Sequence, residues 1–349
     1  MIVRSPIFIC VGEPSGDLYA GYFTAHLKKT CPDLKMYGVG GDGLRKSGVE
    51  IIADYDKLMT FGFSRGIFSY LKNYMMYREV ARRLYQIRPK VFVAVAYPGM
   101  NLLLCRYAKR LGCTIYYFLP PQIWAWGEFR KYFIKKWVDK AISVFPFEYE
   151  YYKKKGIEVE YFENPLLTEL KGYKRNDFQK RIGFMPGSRP SEIKRNVPIM
   201  IKVMRMIGQE KDDMEFCLIL HADSLRLLEG FIASETARQS RKNYRKAENS
   251  IPDFKIITED HYQAMKNCDL LILSSGTASL EAAAMTISQI FFNRPSFLDF
   301  YAVRRFLKIK EYNLTNLYFN KRVVPSFVSC NTRYILQNIC EVTKTIFSN

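Results

Sequence analysis

Apolar runs alternate with amphipathic stretches along the whole chain, the pattern of strand-helix-strand units built on a parallel sheet. In the first half "PIFICVG", "KMYGVGG", "VFVAVAY", "TIYYFLP", "KAISVFP" and "VEYFEN" predict strands, with helices between them that include residues 19–30, 70–87 and 101–111. The second half repeats the scheme with "RIGFMPG", "EFCLILH", "FKIITED", "DLLILSS" and "ISQIFFN". A polar, charged segment, "NPLLTELKGYKRNDFQKR", separates the two runs. Residues 1–168 and 169–328 are therefore expected to form two doubly wound, Rossmann-like α/β domains facing a shared cleft, and 329–349 a C-terminal helical segment.

At 349 residues, 48% of them hydrophobic, the chain can bury two cores of ordinary size. The formal net charge of +19 and a pI near 9.5 point to an anionic partner: nucleic acid, a phosphorylated small molecule or an acidic membrane face. Pro, Gly or charge interrupts every apolar run before it reaches the length of a membrane-spanning helix, and the N-terminal apolar segment is too short for a signal peptide. A cytoplasmic protein is expected. The eight cysteines contain no C-x-x-C pair, which predicts reduced core thiols instead of a disulfide framework or a zinc site.

Three strand-to-helix turns carry candidate chemistry. In "FMPGSRPSEIKRN", Gly187 permits a tight turn, Ser188 offers a hydroxyl and Arg189 a fork for phosphate oxygens, beside a helix N-terminus that favours anions. In "DLLILSSGTASLEAAA", Ser275, Gly276 and Thr277 form a second such N-terminus, and Glu281 lies one turn in, where a carboxylate can accept from ribose hydroxyls. Together they describe a nucleotide site. In "VGEPSGDLYAGY" a small-residue turn opens a helix with Ser15 or Asp17 as N-cap. By contrast, "YGVGGDGLRKSG" has G-x-G-G-x-G spacing, a weak signal for a dinucleotide, and "DYD" at 54–56 reads as a solvated turn.

Between Val91 and Asn101, "VFVAVAYPGMN" holds no Asp, Glu, His, Lys or Arg, so this strand end offers only the Tyr97 hydroxyl, the Asn101 amide and backbone groups. Two stretches mix aromatic and basic residues: 61–85, and "PPQIWAWGEFRKYFIKKWVDK" with all three tryptophans. Each stripe alone is more often core packing; two in one domain of a basic chain support binding at a lipid interface. The basic stretch 235–250 has one aromatic, Tyr244, and reads as a solvated surface, so no nucleic-acid partner is expected.

Taken in order, "VGEPSGD", "GVGGDGLRKSGVE", "PPQIWAWGEFRKYFIKKWVD", "VFPFEYEYYKKKGIEVEYFENPL", "MPGSRPSEI", "SSGTASLEAA" and "LTNLYFNKRVVPSFV" resemble the lipid-A-disaccharide synthase family over nearly the whole chain. The resemblance implies the GT-B fold and an inverting glycosyltransferase without metal or cofactor. It implies transfer of 2,3-diacylglucosamine from its UDP donor to 2,3-diacylglucosamine 1-phosphate, giving a β-1,6 disaccharide on the way to lipid A, at the cytoplasmic face of the inner membrane. Donor binding then falls to Gly187, Ser188, Arg189, Ser275, Gly276, Thr277, Glu281 and Asn316. Ser15, Tyr97, Asn101, Gln122, Trp124 and Trp126 fall on the acceptor and lipid side. Family precedent also leaves room for a homodimer and for a C-terminal segment packed back on the first domain.

The sequence departs from the family on the acceptor side. The family commonly carries Asp, a favoured candidate for the general base, at the place of Ala96, Glu at that of Arg65, and Gly-His-Pro where Glu163-Asn164-Pro165 stands. Glu13 and then Asp17, at a neighbouring strand end, are the expected replacements as catalytic base. Two further readings stand beside a working synthase: a diverged transferase with another acceptor, and a homologue that binds nucleotide-sugar or lipid without turnover.

Overall fold

A computed structural model describes residues 5–54, 67–125, 127–173, 178–188, 190–211, 213–220, 224, 225, 228, 230, 253–295 and 311–348, with side chains from 74 onward in the helix that begins at 67. The chain divides into two units, Met1–Pro165 and Leu166–Asn349. In the first, β1 (Ile7–Val11), α1 (Pro14–Thr30), β2 (Met36–Gly40), α2 (Asp42–Lys46), β3 (Glu50–Asp54), α3 (Ile67–Ile87), β4 (Val91–Val95) and α4 (Pro98–Arg110) are followed by β5 (Thr114–Phe118), α5 (Arg130–Trp137), β6 (Lys140–Ser143), α6 (Pro146–Lys154) and β7 (Val159–Tyr161). After α7 (Pro165–Leu170) come β8 (Arg181–Met185), α8 (Pro190–Gly208), β9 (Glu215–Ile219), β10 (Lys255–Ile257), α9 (His261–Lys266) and β11 (Leu270–Leu273). The second unit closes with α10 (Gly276–Ala284), β12 (Ser288–Asn293), α11 (Leu314–Phe319), β13 (Ser326–Val328) and α12 (Thr332–Ser348).

Both sheets are parallel throughout, ordered β3-β2-β1-β4-β5-β6-β7 and β10-β9-β8-β11-β12-β13. The central strands are buried on both faces, which is why they read as continuous apolar runs. Alternation decides which side chain goes where. Ile182, Phe184, Leu270 and Ile272 join one core with Val197, Met200 and Met204 of α8, whereas Cys217, Leu271 and Leu273 join the opposite one with Met265, Ala278 and Ala282. In the first unit Phe8, Cys10, Phe92, Ala94 and Ile115 pack with Met76, Val80 and Leu84 of α3. All eight cysteines are free thiols.

Three details differ from the sequence reading. Helices α1 and α4 begin at Pro14 and Pro98, earlier than the expected 19 and 101, because each proline sits in the first turn, where its missing N–H has no intrahelical partner to lose. Strands β3 and β13 are additional; both are sheet edges, and an edge needs less apolar surface than a central strand. Finally, the C-terminal segment is a helix, α12, that packs into the core of the second unit. Ile335, Ile339 and Cys340 of α12 belong to the core that holds α8, and Lys344 pairs with Glu210 at 2.8 Å.

Each strand order reverses at its centre, between β1 and β4 and between β8 and β11, and the loops leaving such a reversal form the ligand crevice of open α/β sheets. A buried asparagine locks each reversal. Asn101 donates from Nδ2 to the carbonyls of Cys10 (3.2 Å), Val95 (2.9 Å) and Ala96 (2.9 Å), tying the end of β1 to that of β4. Asn196 on α8 donates to the Pro186 carbonyl (2.8 Å) beyond β8 and to Ser274 Oγ (2.9 Å) beyond β11. Replacing Asn101 with Ala strands three buried carbonyl contacts, so a loss of roughly 2–3 kcal/mol is expected in urea unfolding. Asn101→Asp should cost more, since it sets a carboxylate against those oxygens.

Candidate active site

In the first unit, chain sterics shape the strand ends. Ala96 and Tyr97 both have positive φ, 48° and 42°, a left-handed stretch that costs L-residues roughly 1–2 kcal/mol each. It persists because the Ala96 carbonyl is held twice, by Asn101 Nδ2 and by Tyr117 Oη at 2.8 Å. The turn throws the Tyr97 ring over Gly12, where any Cβ would lie 2.4 Å from the ring. Burial first, and then the charge of Glu13, push the Tyr97 phenol above its ordinary pKa.

Glu13 is the extended N-cap residue of α1 and is half-buried. Ser15 donates to its Oε1 at 3.2 Å. A Cβ built on Gly16 would lie 3.4 Å from the Ala96 methyl and 3.5 Å from Glu13 Cγ, so the two side chains border one spot. Asp17 has a different situation. It is buried and accepts the amides of Gly41 (2.8 Å) and Gly43 (2.7 Å), one on each oxygen, fastening α1 to the turn that opens α2. The glycine-rich "GVGGDG" thus closes around a carboxylate of the chain itself. Asp54 of "DYD" pairs with Arg45 at 2.8 Å, while Asp56 lies outside the described residues.

The β5–α5 loop leaves the sheet beside β4, with Gln122 exposed and Trp124 half-buried. Asn101, read from sequence as a ligand contact, is fully buried and spent on the strand ends. Along α3, Met76, Val80 and Leu84 face the core while Tyr74 and Met75 face solvent. On α5 only Ile134 is buried; Tyr132, Phe133, Lys135 and Lys136 are exposed, Phe129 is exposed just before the helix, and Phe133 stacks on Trp137 at 4.9 Å. Trp126, Arg65, Arg189 and the basic stretch 235–250 lie outside the described residues.

In the second unit the turns after β8 and β11 stand at the reversal. Gly187 has φ of 106°, a conformation that L side chains rarely adopt, and a Cβ there would also crowd the Glu192 side chain. Ser188 is exposed at the start of α8. Ser275, the N-cap of α10, leaves its hydroxyl out of the cap, and Ser275, Gly276 and Thr277 are all half-buried. Glu281, one turn on, accepts from Tyr262 Oη at 3.2 Å, and burial raises its pKa to about 7. Asn316 is fully engaged: Oδ1 takes the amides of Val323 and Val324 (2.8 Å each), and Nδ2 donates to the Val324 carbonyl (2.9 Å) and Glu311 Oε2 (3.1 Å). Its job is to fasten α11 to the strand that follows.

Sequence reasoning missed Tyr262, the Asn196–Ser274 lock and Glu148, a buried carboxylate bonded to the Trp124 indole. The signal for Glu148 was its place just after Pro146, in the first turn of a helix. Among the described residues no group of three or more His, Cys, Asp or Glu is gathered as for a metal ion.

A family model described as lipid-A-disaccharide synthetase matches residues 7–345. Lipid-A-disaccharide synthase 1 of Legionella pneumophila (strain Lens) is 32% identical over 349 residues, covering 95% of this chain and 87% of that protein. Lipid-A-disaccharide synthase of Nitrosococcus oceani is 30% identical, covering 92% and 82%. Among solved structures, UDP-GlcNAc 2-epimerase of Methanocaldococcus jannaschii, in complex with UDP-GlcNAc and UDP, superposes with a TM-score of 0.62 at 13% identity over 97% of this chain and 92% of that one. The Neisseria meningitidis enzyme gives 0.61 at 10% identity, over 99% and 100%. At such identities the likeness is one of fold, the GT-B class.

Because Glu281 holds its proton more tightly folded than unfolded, its contribution is present at low pH and is lost as pH rises from its ordinary 4.5 to about 7. Glu281→Gln should therefore flatten the fall in unfolding free energy over that window by on the order of 3 kcal/mol, read by urea titration at pH 4.5 and 7.5.

Proposed function

The chain belongs to the lipid-A-disaccharide synthase family and is a glycosyltransferase, and we propose that it moves 2,3-diacylglucosamine from UDP to the 6-hydroxyl of 2,3-diacylglucosamine 1-phosphate. The observation that carries this reading is a family match running through both units, with strand-end chemistry at the reversal of each sheet. Donor contacts belong to the second unit. The α8 and α10 N-termini, with Ser188 and Ser275–Thr277, receive the pyrophosphate, and Glu281 accepts from the ribose hydroxyls. Arg189 adds its charge there as UDP departs.

The acceptor contacts belong to the first unit, where Glu13 serves as the base. The acceptor oxygen bonds to the anomeric carbon as the bond to the UDP β-phosphate oxygen breaks. UDP leaves with that electron pair, the hydroxyl proton passes to Glu13, and the configuration inverts to β. Ser15 orients the Glu13 carboxylate. Asp17, the second candidate, has both oxygens committed to backbone amides and takes the anchoring role instead.

The protein attaches to the cytoplasmic face of the inner membrane without crossing it. Support comes from Phe129, Tyr132 and Phe133, exposed among Lys131, Lys135 and Lys136 on and just before α5, and from the net charge of +19. No described helix is long and apolar enough to span a bilayer.

Two outcomes are expected. Incubation with UDP-diacylglucosamine and the acyl-sugar phosphate gives a β-1,6 disaccharide by mass spectrometry and NMR, and Glu13→Gln slows it by about 10²–10⁴-fold; UDP binding without product would favour a non-catalytic homologue. Vesicles rich in anionic lipid should retain the protein in flotation while neutral vesicles release it. Tyr132→Glu with Phe133→Glu should abolish retention, and unchanged retention would rule out this face.

A further inference from the structure

The β5–α5 loop is held from behind by one face of α6. Glu148 and Tyr152 are four residues apart and so project from the same side of that helix. Tyr152 Oη donates to the Pro121 carbonyl at 2.5 Å. Glu148 Oε1 accepts the Trp124 indole N–H at 2.9 Å, and its Oε2 accepts the Ser143 hydroxyl at 2.7 Å. Phe147 closes the same corner, its ring standing edge-on to Trp124 at 4.9 Å. Ile123 and Ala125 on either side of Trp124 are buried, so the backbone is packed on both sides of the indole. What the corner leaves open is the exposed Gln122 and part of the indole, one strand over from Ala96.

A buried carboxylate is a costly way to hold a tryptophan, since a neutral acceptor would serve packing alone. Tyr152, on the same face of the helix, can ionise, and burial keeps that phenol neutral. No ion pair is formed by Glu148 among the described residues. What a carboxylate adds is directional strength, two charge-assisted bonds that fix one indole rotamer. The corner can also hold a proton without coming apart. Ser143 Oγ lies 3.2 Å from the Phe145 carbonyl, so it can donate there while accepting from a protonated Glu148, leaving Oε1 for the indole.

We propose that Glu148 is a positioning residue for the acceptor: through the Trp124 indole it sets the wall at the strand-end rim against which the acyl-sugar packs. The inference rests on the acceptor reading of the first unit given above. Burial raises the Glu148 pKa to about 7, so the strength of its hold on the indole changes near neutrality.

The test is steady-state kinetics with both substrates varied, joined to calorimetric titration of the acceptor in the absence of donor. Glu148→Ala is expected to raise the acceptor KM and Kd at least about tenfold while the donor KM stays within about twofold. Trp124→Phe should reproduce that split, and the double variant should add little to either, as for two residues acting through one contact. Glu148→Gln, whose amide can accept from the indole and donate to Ser143, should return the acceptor Kd to within about threefold of wild type and remove its pH dependence around neutrality. An acceptor Kd unchanged in folded Glu148→Ala and Trp124→Phe overturns the positioning role alone, as does an equal rise in both KM values. Failure of the wild type to bind acceptor overturns the acceptor reading with it.

Discussion

A parallel sheet whose strand order reverses has two neighbouring strands with helices leaving in opposite directions, and something must tie their ends together while leaving the crevice between them open. In the first unit that tie is the Asn101 amide, which donates to carbonyls on both β1 and β4. Its Oδ1 is buried without a partner among the described residues, and the same holds for Asn196 in the second unit. Two unsatisfied oxygens in equivalent places are costs the fold carries to close its reversals with short side chains. The turns that carry Glu13, Tyr97, Ser188 and Ser275 leave the strands tied by these two joints.

The joint in the first unit also holds the left-handed backbone at Ala96 in place. The backbone conformation there is one that Asp or Asn tolerates better than Ala, yet it survives because the Ala96 carbonyl is bonded to Asn101 and Tyr117. The Glu13 side chain borders the same spot from β1's end. In the second unit Gly187, Ser275 with its hydroxyl outside the helix cap, and Glu281 with a pKa raised to about 7 lie at and just beyond the corresponding strand ends.

Much of this was legible in the sequence because central parallel strands are apolar on both faces and because proline and glycine mark their ends. The loops after β1, β4, β8 and β11 were located from those marks alone. What the sequence did not convey was which polar groups turn inward. Asp17, read as a base candidate, and Asn101 and Asn316, read as ligand contacts, each bond to backbone amides or carbonyls that only the tertiary fold brings near. Glu148 was hidden for the opposite reason. A Glu in a first helical turn is ordinarily explained by the helix dipole, and its partner Trp124 is 24 positions away in the chain. Edge strands β3 and β13 escaped because edges need little apolar pattern.

The proposed catalysis proceeds from Glu13 at the end of β1, with Ala96 and no acid at the end of β4. Its most direct test is the rate of disaccharide formation by wild type and Ala96→Asp, measured side by side at saturating donor and acceptor. Turnover by the wild type, with Ala96→Asp within a few-fold of it, is the expected result. A wild type that binds UDP yet forms no product, and that Ala96→Asp switches on, would contradict it.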